Sequence, residues 1–290
     1  MRTQVPADMA ELIALFPAIA FYGTVVVLAI AEVLRPGRNP TSALGRRWLT
    51  NIALFVTEQL VVRFAVPVSA LAVSQMAADH GVGLLRLVPL PYAVDVALGV
   101  LLLDLWHYIE HRLMHAVPLL WRLHRVHHSD VDVDFTTAER HHPAEVVLGA
   151  GGLMLAVYIL GVPPLAIVVY IAVAGVVALL SHANLRLAEG FDRPVRRLIV
   201  TPAVHVIHHS SESLETNSNF GTVLTTWDRL CGTYRAPTAA GDRTRVLGLE
   251  YFRDVRDARL DQVLVQPFLK TRTQPPTLAD AGARKHAITP

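Results

Sequence analysis

The chain has 290 residues, 52% of them hydrophobic and 17% charged, with a mean hydropathy of +0.40. That composition excludes a disordered chain, a fibrous repeat and a small secreted scaffold, and it is too apolar for an ordinary soluble fold. Twenty-six Lys and Arg against 24 Asp and Glu leave +2, which offers no electrostatic handle for nucleic acid, and the single Cys231 cannot close a disulfide within the chain.

From Leu12 to Ala31 twenty residues carry no charge, enough to cross a hydrocarbon core of about 30 Å at about 1.5 Å per residue. A signal peptide is the competing reading, but the run is longer than an h-region and only Arg2 precedes it. Arg35, Arg38, Arg46 and Arg47 follow, and the positive-inside rule puts that loop in the cytoplasm. A second apolar stretch, Trp48 to Ala78, contains Glu58 and Arg63; either these pair with something or the helix starts late. A third, Leu87 to Leu103, holds only Asp95 and runs on into the first histidines. Between Val146 and Ser181 no residue is charged, and Gly161-Val162-Pro163-Pro164 divides the run into a hairpin whose arms, at about 15 to 17 residues, look short for a full crossing. The spacing predicts an all-α, polytopic membrane helix bundle of four to five apolar segments with a histidine-rich cap on the cytoplasmic side. Residues 1–90 are expected to form N-terminal membrane helices, 91–236 a catalytic region that includes hairpin 143–181, and 237–290 a cytoplasmic segment with a loose tail around Pro275-Pro276. Trp48, Trp106 and Trp121 are expected at the membrane interface.

Fourteen histidines are present, and twelve lie between His107 and His209. Asp104, His107, His111 and His115 are spaced by 3, 4 and 4 and so share a helix face. His124-Arg125-Val126-His127-His128 returns 81 residues later as His205-Val206-Ile207-His208-His209. Positions i, i+3 and i+4 fall within about 100° of arc, so each motif is expected to aim three imidazoles at roughly one point. His142 and His182 sit at the two cytoplasmic ends of the hairpin. The candidate ligands are therefore His111, His115, His124, His127, His128, His142, His182, His205, His208 and His209, divided naturally between two ions with five nitrogens each. Imidazole suits iron, copper, zinc and nickel alike, and no thiolate competes. Asp104, His107, Glu110, Glu139 and Glu145 are candidates to hold the imidazoles in one tautomer. A rival is His107-Tyr108-Ile109-Glu110-His111, the inverted zinc-peptidase pattern, which leaves eight histidines unexplained. A metal- or haem-handling protein without oxidation chemistry would need ligands spread across the bilayer, whereas these gather on one side. Taken singly, His80, His141 and His286 read as surface or hydrogen-bonded core residues.

At these residues the chain resembles the fatty acid hydroxylase/sterol desaturase superfamily, in its sterol-desaturase-like branch. The resemblance rests on His111-Arg112-Leu113-Met114-His115, the two HxxHH boxes each followed by serine (Ser129, Ser210), His141-His142-Pro143-Ala144-Glu145, His182-Ala183-Asn184, Asn219-Phe220-Gly221 and the segment Trp227 to Tyr234. It covers about Asp104 to Tyr234. It implies an integral-membrane oxidoreductase with two iron ions in histidine boxes, O2 as co-substrate, an external electron-transfer protein as partner, and a membrane lipid that is hydroxylated or desaturated. Some relatives carry a second HxxxH box after the hairpin; here the fourth position beyond His182 is Arg186, and the resemblance points to His142 as the replacement ligand. The composition, rich in Ala and Arg, and the lack of an obvious retrieval tail suggest a bacterial cytoplasmic membrane.

Overall fold

A computed structural model describes residues 7–238 and 245–270, with side chains from residue 15 onward; the expected loose tail and His286 lie outside the described residues. No strand forms among these residues, only two isolated bridges, Ile199 with Leu224 and Ser210 with Leu247. Five stretches are long and apolar enough to cross a membrane. They are α1 (Ala7–Leu34), α2 (Leu44–Ala65) continued by α3 (Ala70–Asp79), α4 (Tyr92–Ala116), α6 (Pro143–Leu160) and α7 (Pro164–His182), with α5 (Pro118–His128) lying between α4 and α6. Their outward sides are apolar: Ile19, Val27, Phe64 and Leu101 stand in the open, a surface that lipid accommodates and water does not. The chain is an integral membrane protein.

The stretch expected as one helix from Trp48 to Ala78 begins earlier, at Leu44, and breaks at Val66–Ser69, where Pro67 has no N–H to donate and keeps its neighbour Val66 out of helical backbone. Ser69 then caps α3, its hydroxyl accepting from the Ala72 N–H at 3.2 Å. The buried face of α2 is the polar one: Arg47, Asn51, Leu54 and Glu58 recur at helical spacing and point inward, while the apolar residues face out. Glu58 does find a partner, accepting from the His141 N–H at 3.0 Å. Arg63 lies on the exposed side of the last turn.

The hairpin arms are longer than expected, 18 and 19 residues. The reason is local: Pro143 and Pro164 each occupy a first helical turn, where a missing N–H costs nothing, so each proline starts its helix. At about 1.5 Å per residue each arm spans about one hydrocarbon thickness. Gly161 caps α6 with φ +68 and packs against Gly83 of the loop after α3, where a Cβ on Gly83 would lie 2.3 Å from the Gly161 Cα. At the opposite end Glu32, in the last turn of α1, accepts from the N–H groups of Phe135 (3.0 Å) and Asn184 (2.9 Å), and the Gly37 N–H reaches the Asn184 carbonyl at 2.7 Å. The arginine-rich loop after α1 therefore sits on the histidine side of the bundle, and the hairpin tip on the other.

Candidate metal centre

α4 runs unbroken from the apolar segment into His111 and His115, and Val117 in extended backbone before Pro118 turns the chain into α5. That corner folds the first box against His124-Arg125-Val126-His127-His128. The loop after α5 is held by a buried polar network rather than by regular structure. Arg140, fully buried, donates to Val126 O (3.0 Å), Asn51 Oδ1 (2.8 Å) and Ser129 Oγ (3.0 Å), while Arg47 of α2 bridges Asp130 and Asp134. Opposite it, α9 (Pro202–His208) carries the second HxxHH box.

Nine of the ten expected histidines converge, in two groups. Site A comprises His111, His115, His124, His128 and His208, and site B comprises His127, His182, His205 and His209; within each group the ligand atoms all lie within 4.8 Å of one another. The expectation that each HxxHH box aims at one point is corrected here. The i and i+4 imidazoles of α5 go to site A and its i+3 imidazole to site B, while α9 does the reverse. The 100° arc is wide enough to straddle two points when a second box faces the first. Each box thus ties both sites together.

The ring nitrogens are arranged for cations. His111 donates Nδ1–H to the Phe220 carbonyl (2.8 Å), His208 to the Ser218 carbonyl (2.8 Å) and His124 to the Glu145 carboxylate (2.6 Å). A carbonyl only accepts, so in a neutral ring the other nitrogen is bare. The bare Nε2 atoms of His111 and His124 nevertheless face each other at 3.1 Å, and those of His128 and His208 are buried with no partner. Opposed lone pairs repel, and unpartnered buried nitrogens are costly, unless a cation stands between them. In site B His182, oriented by Nδ1–H to Ala178 O (2.7 Å), brings its Nε2 within 3.1 Å of His127 and 3.0 Å of His205, whose Nε2 is 3.2 Å from His209. Two nitrogens at about 2.1 Å from one ion and at right angles to each other stand about 3.0 Å apart, so the spacing fits. Burial pushes His124 down to about 3, and burial together with neighbouring imidazoles holds His127, His128, His205, His208 and His209 well below the usual histidine range, so all are neutral and competent to bind a metal.

His142 is the histidine that does not join. Its Nδ1 accepts from the Ala144 N–H at 3.2 Å, capping α6, and its Nε2 reaches Leu264 O at 3.2 Å. Its neighbour His141 stacks on His127 instead, ring centroids 4.7 Å apart and 7° from parallel. Nothing in a His-His dipeptide distinguishes the two; the proline that makes position 142 the helix cap does.

Of the supporting residues, Glu145 acts on His124 as expected. Asp104 does not touch an imidazole: it accepts from Val223 N, Leu224 N and Trp227 Nε1 and so anchors the segment that carries Phe220. Asp228, unremarked in the sequence, accepts from the N–H groups of Phe220 and Gly221 at 2.8 Å and fixes the carbonyl that orients His111. His107 bonds its own Leu103 carbonyl and joins neither site, which separates the two histidines of the peptidase pattern. Nor do the tryptophans all mark an interface: Trp121 packs between His115 and His128, and Trp48 donates to Asp134 at 2.7 Å.

A cavity of about 420 Å³ borders both sites. Its walls include His107, Glu110, His111, His124, His127, His141, Glu145, Leu153, His182 and His205, so imidazoles of A and B meet one apolar space between α4, α6 and α7.

A fatty acid hydroxylase family model matches residues 96–233, the stretch that supplies every imidazole of both sites. That stretch, just under half of the chain, is similar to the fatty acid hydroxylase family. Relatives of that superfamily include an ornithine lipid hydroxylase, OlsE, of Rhizobium tropici, 34% identical over 148 residues that cover 51% of this chain and 44% of that one. Methylsterol monooxygenase 1 of Gallus gallus is 31% identical over 136 residues (45% and 42%), and alkylglycerol monooxygenase of Homo sapiens 26% over 133 residues (46% and 29%). The matched stretch spans less than half the length of each of these relatives. No solved structure matches the chain.

Proposed function

We propose that the protein is an O2-dependent lipid hydroxylase with an iron ion in each histidine site. The observation that carries the reading is the pair of bare, opposed Nε2 groups beside a cavity reached from the membrane bundle. The names of the relatives, hydroxylases and monooxygenases of lipids, favour hydroxylation over desaturation. Iron bound at the two sites would supply O2 activation and the abstraction of hydrogen from an unactivated C–H bond. The chain's own residues do the rest. Glu145, Phe220 O and Ser218 O hold three site A rings in one tautomer, and the apolar walls around Leu153 admit an acyl chain sideways and exclude water. Electrons for such chemistry come from a separate electron-transfer protein. Site B has four nitrogens. His141, the further imidazole stacked on one of its rings, is our candidate for the fifth, in place of His142. The arginine loop on the histidine side favours a cap facing the cytoplasm, in a bacterial inner membrane.

The test is metal content of anaerobically purified, detergent-solubilised protein. We expect two irons per chain in the wild type and none in His127→Ala/His208→Ala, with O2- and reductant-dependent lipid hydroxylation lost in parallel. His141→Ala should lower iron at site B, and His142→Ala should leave it unchanged. A single zinc retained in the double variant would overturn the reading.

A further inference from the structure

One ionisable side chain in the cavity is left over once the metal sites are built. Glu110 lies on α4 immediately before His111 and lines the same cavity. The other cavity carboxylate, Glu145, is occupied by His124. Among the described residues Glu110 makes no hydrogen bond and no ion pair, although it sits in a membrane-spanning helix, where an ionisable group needs a partner. Its position is built rather than incidental. Oε1 leans over Gly152 of α6, where a Cβ would stand 2.6 Å away, and the same Cβ would be 3.5 Å from Trp106 Nε1. That indole N–H is itself buried with no acceptor. An unpartnered carboxylate thus lines the cavity, with a buried indole N–H and Gly152 of α6 behind it, in a pocket otherwise walled mainly by apolar groups and imidazoles, with Ser181 and Thr222 among the lining.

We infer that Glu110 forms a polar subsite of the substrate cavity that takes a hydrogen-bond donor, a hydroxyl or an ammonium, carried by the lipid close to the carbon presented to the metal sites. The substrate is then a lipid with a polar group inside the cavity rather than a bare hydrocarbon. Glu110 receives the donor, and Gly152 leaves the room that the carboxylate needs to hold its position. A single hydrogen bond to a charged group discriminates by tenfold or more. The inference rests on the cavity being the substrate site proposed above.

The experiment is equilibrium binding by calorimetry to the iron-loaded protein in detergent, without reductant, using hexadecanol, hexadecylammonium and hexadecyl methyl ether as matched probes. The wild type should bind at least one of the two donors about tenfold or more tighter than the ether. Glu110→Leu should erase that preference with iron content unchanged. Glu110→Gln distinguishes the donors, keeping a preference for the alcohol and losing one for the ammonium. If Glu110→Leu fails to fold, Gly152→Ala tests the same point by pushing the carboxylate aside, and it should reduce the preference. Equal binding of all three probes by the wild type, or a preference that survives both Glu110→Leu and Gly152→Ala, overturns the subsite. Because binding is read without turnover, a protein that binds as expected but hydroxylates no lipid would sink the proposed function and leave the subsite standing.

Discussion

The two histidine sites are built from the same side chain and often the same helix, yet they are held differently. In site A three of five rings are fixed from behind, His111 and His208 by carbonyls of the loop around residues 218–220 and His124 by Glu145. In site B only His182 is so fixed, while the Nδ1 atoms of His127, His205 and His209 are buried without partners. Site A is thus preorganised by a shell that spans α4, α6 and the closing segment. Within the chain, site B has little beyond ring packing to order its other three rings. The difference teaches that the ligand list is only half of a metal site; what stands behind each ring decides how firmly it is held.

The largest expected effect comes from breaking the sites one at a time. His208→Ala should empty site A and His205→Ala site B, each removing about one metal ion per chain and abolishing activity, read by elemental analysis beside a turnover assay. Should His205→Ala retain full activity, the chemistry would belong to a site at His107 and His111 and the two-site comparison would collapse. A finer cut is Glu145→Gln, which keeps the shape and weakens the acceptor behind His124. Metal affinity at site A should fall by about 10- to 100-fold while site B is unaffected, measured by competition with a chelator. An equal loss at both sites would mean they are not independently held.

The smallest effect concerns the metal-free protein and pH. Burial lowers His124 to about 3 and His141 to about 4, against about 6.5 in an unfolded chain. Above about pH 6.5 the rings are neutral in both states, so this part of the stability is fully present. As pH falls from there towards 3 to 4, the unfolded chain takes up protons that the folded cluster refuses, and stability drains away. The melting temperature of the stripped protein should therefore fall steadily between pH 7 and pH 5. A flat profile would show that the rings are solvated and the cluster open.

Much of the fold was legible because apolar runs and proline positions are local signals. The α4 histidine face, the hairpin and the nine histidines that converge follow from spacing. The split of each HxxHH box between two sites was not legible, since a single helix does not reveal that another faces it. Nor was the departure of His142 from the cluster, which turns on which ring the helix start claims. Asp104 looks like a ligand support in sequence and Asp228 draws no notice there, yet both act on backbone amides, more than a hundred and about eight residues away respectively, contacts that no periodicity encodes.

By itself, the sequence determined that this is a helical membrane protein with a one-sided cap of imidazoles, because hydropathy and i, i+3, i+4 spacing act within one helix. Only the tertiary structure decided which nitrogens share a site, which ring is left to cap a helix, and which carboxylate is left bare in the cavity. Those outcomes depend on how α4, α5, α6 and α9 meet, and burial and hydrogen-bond partners exist only once they have met.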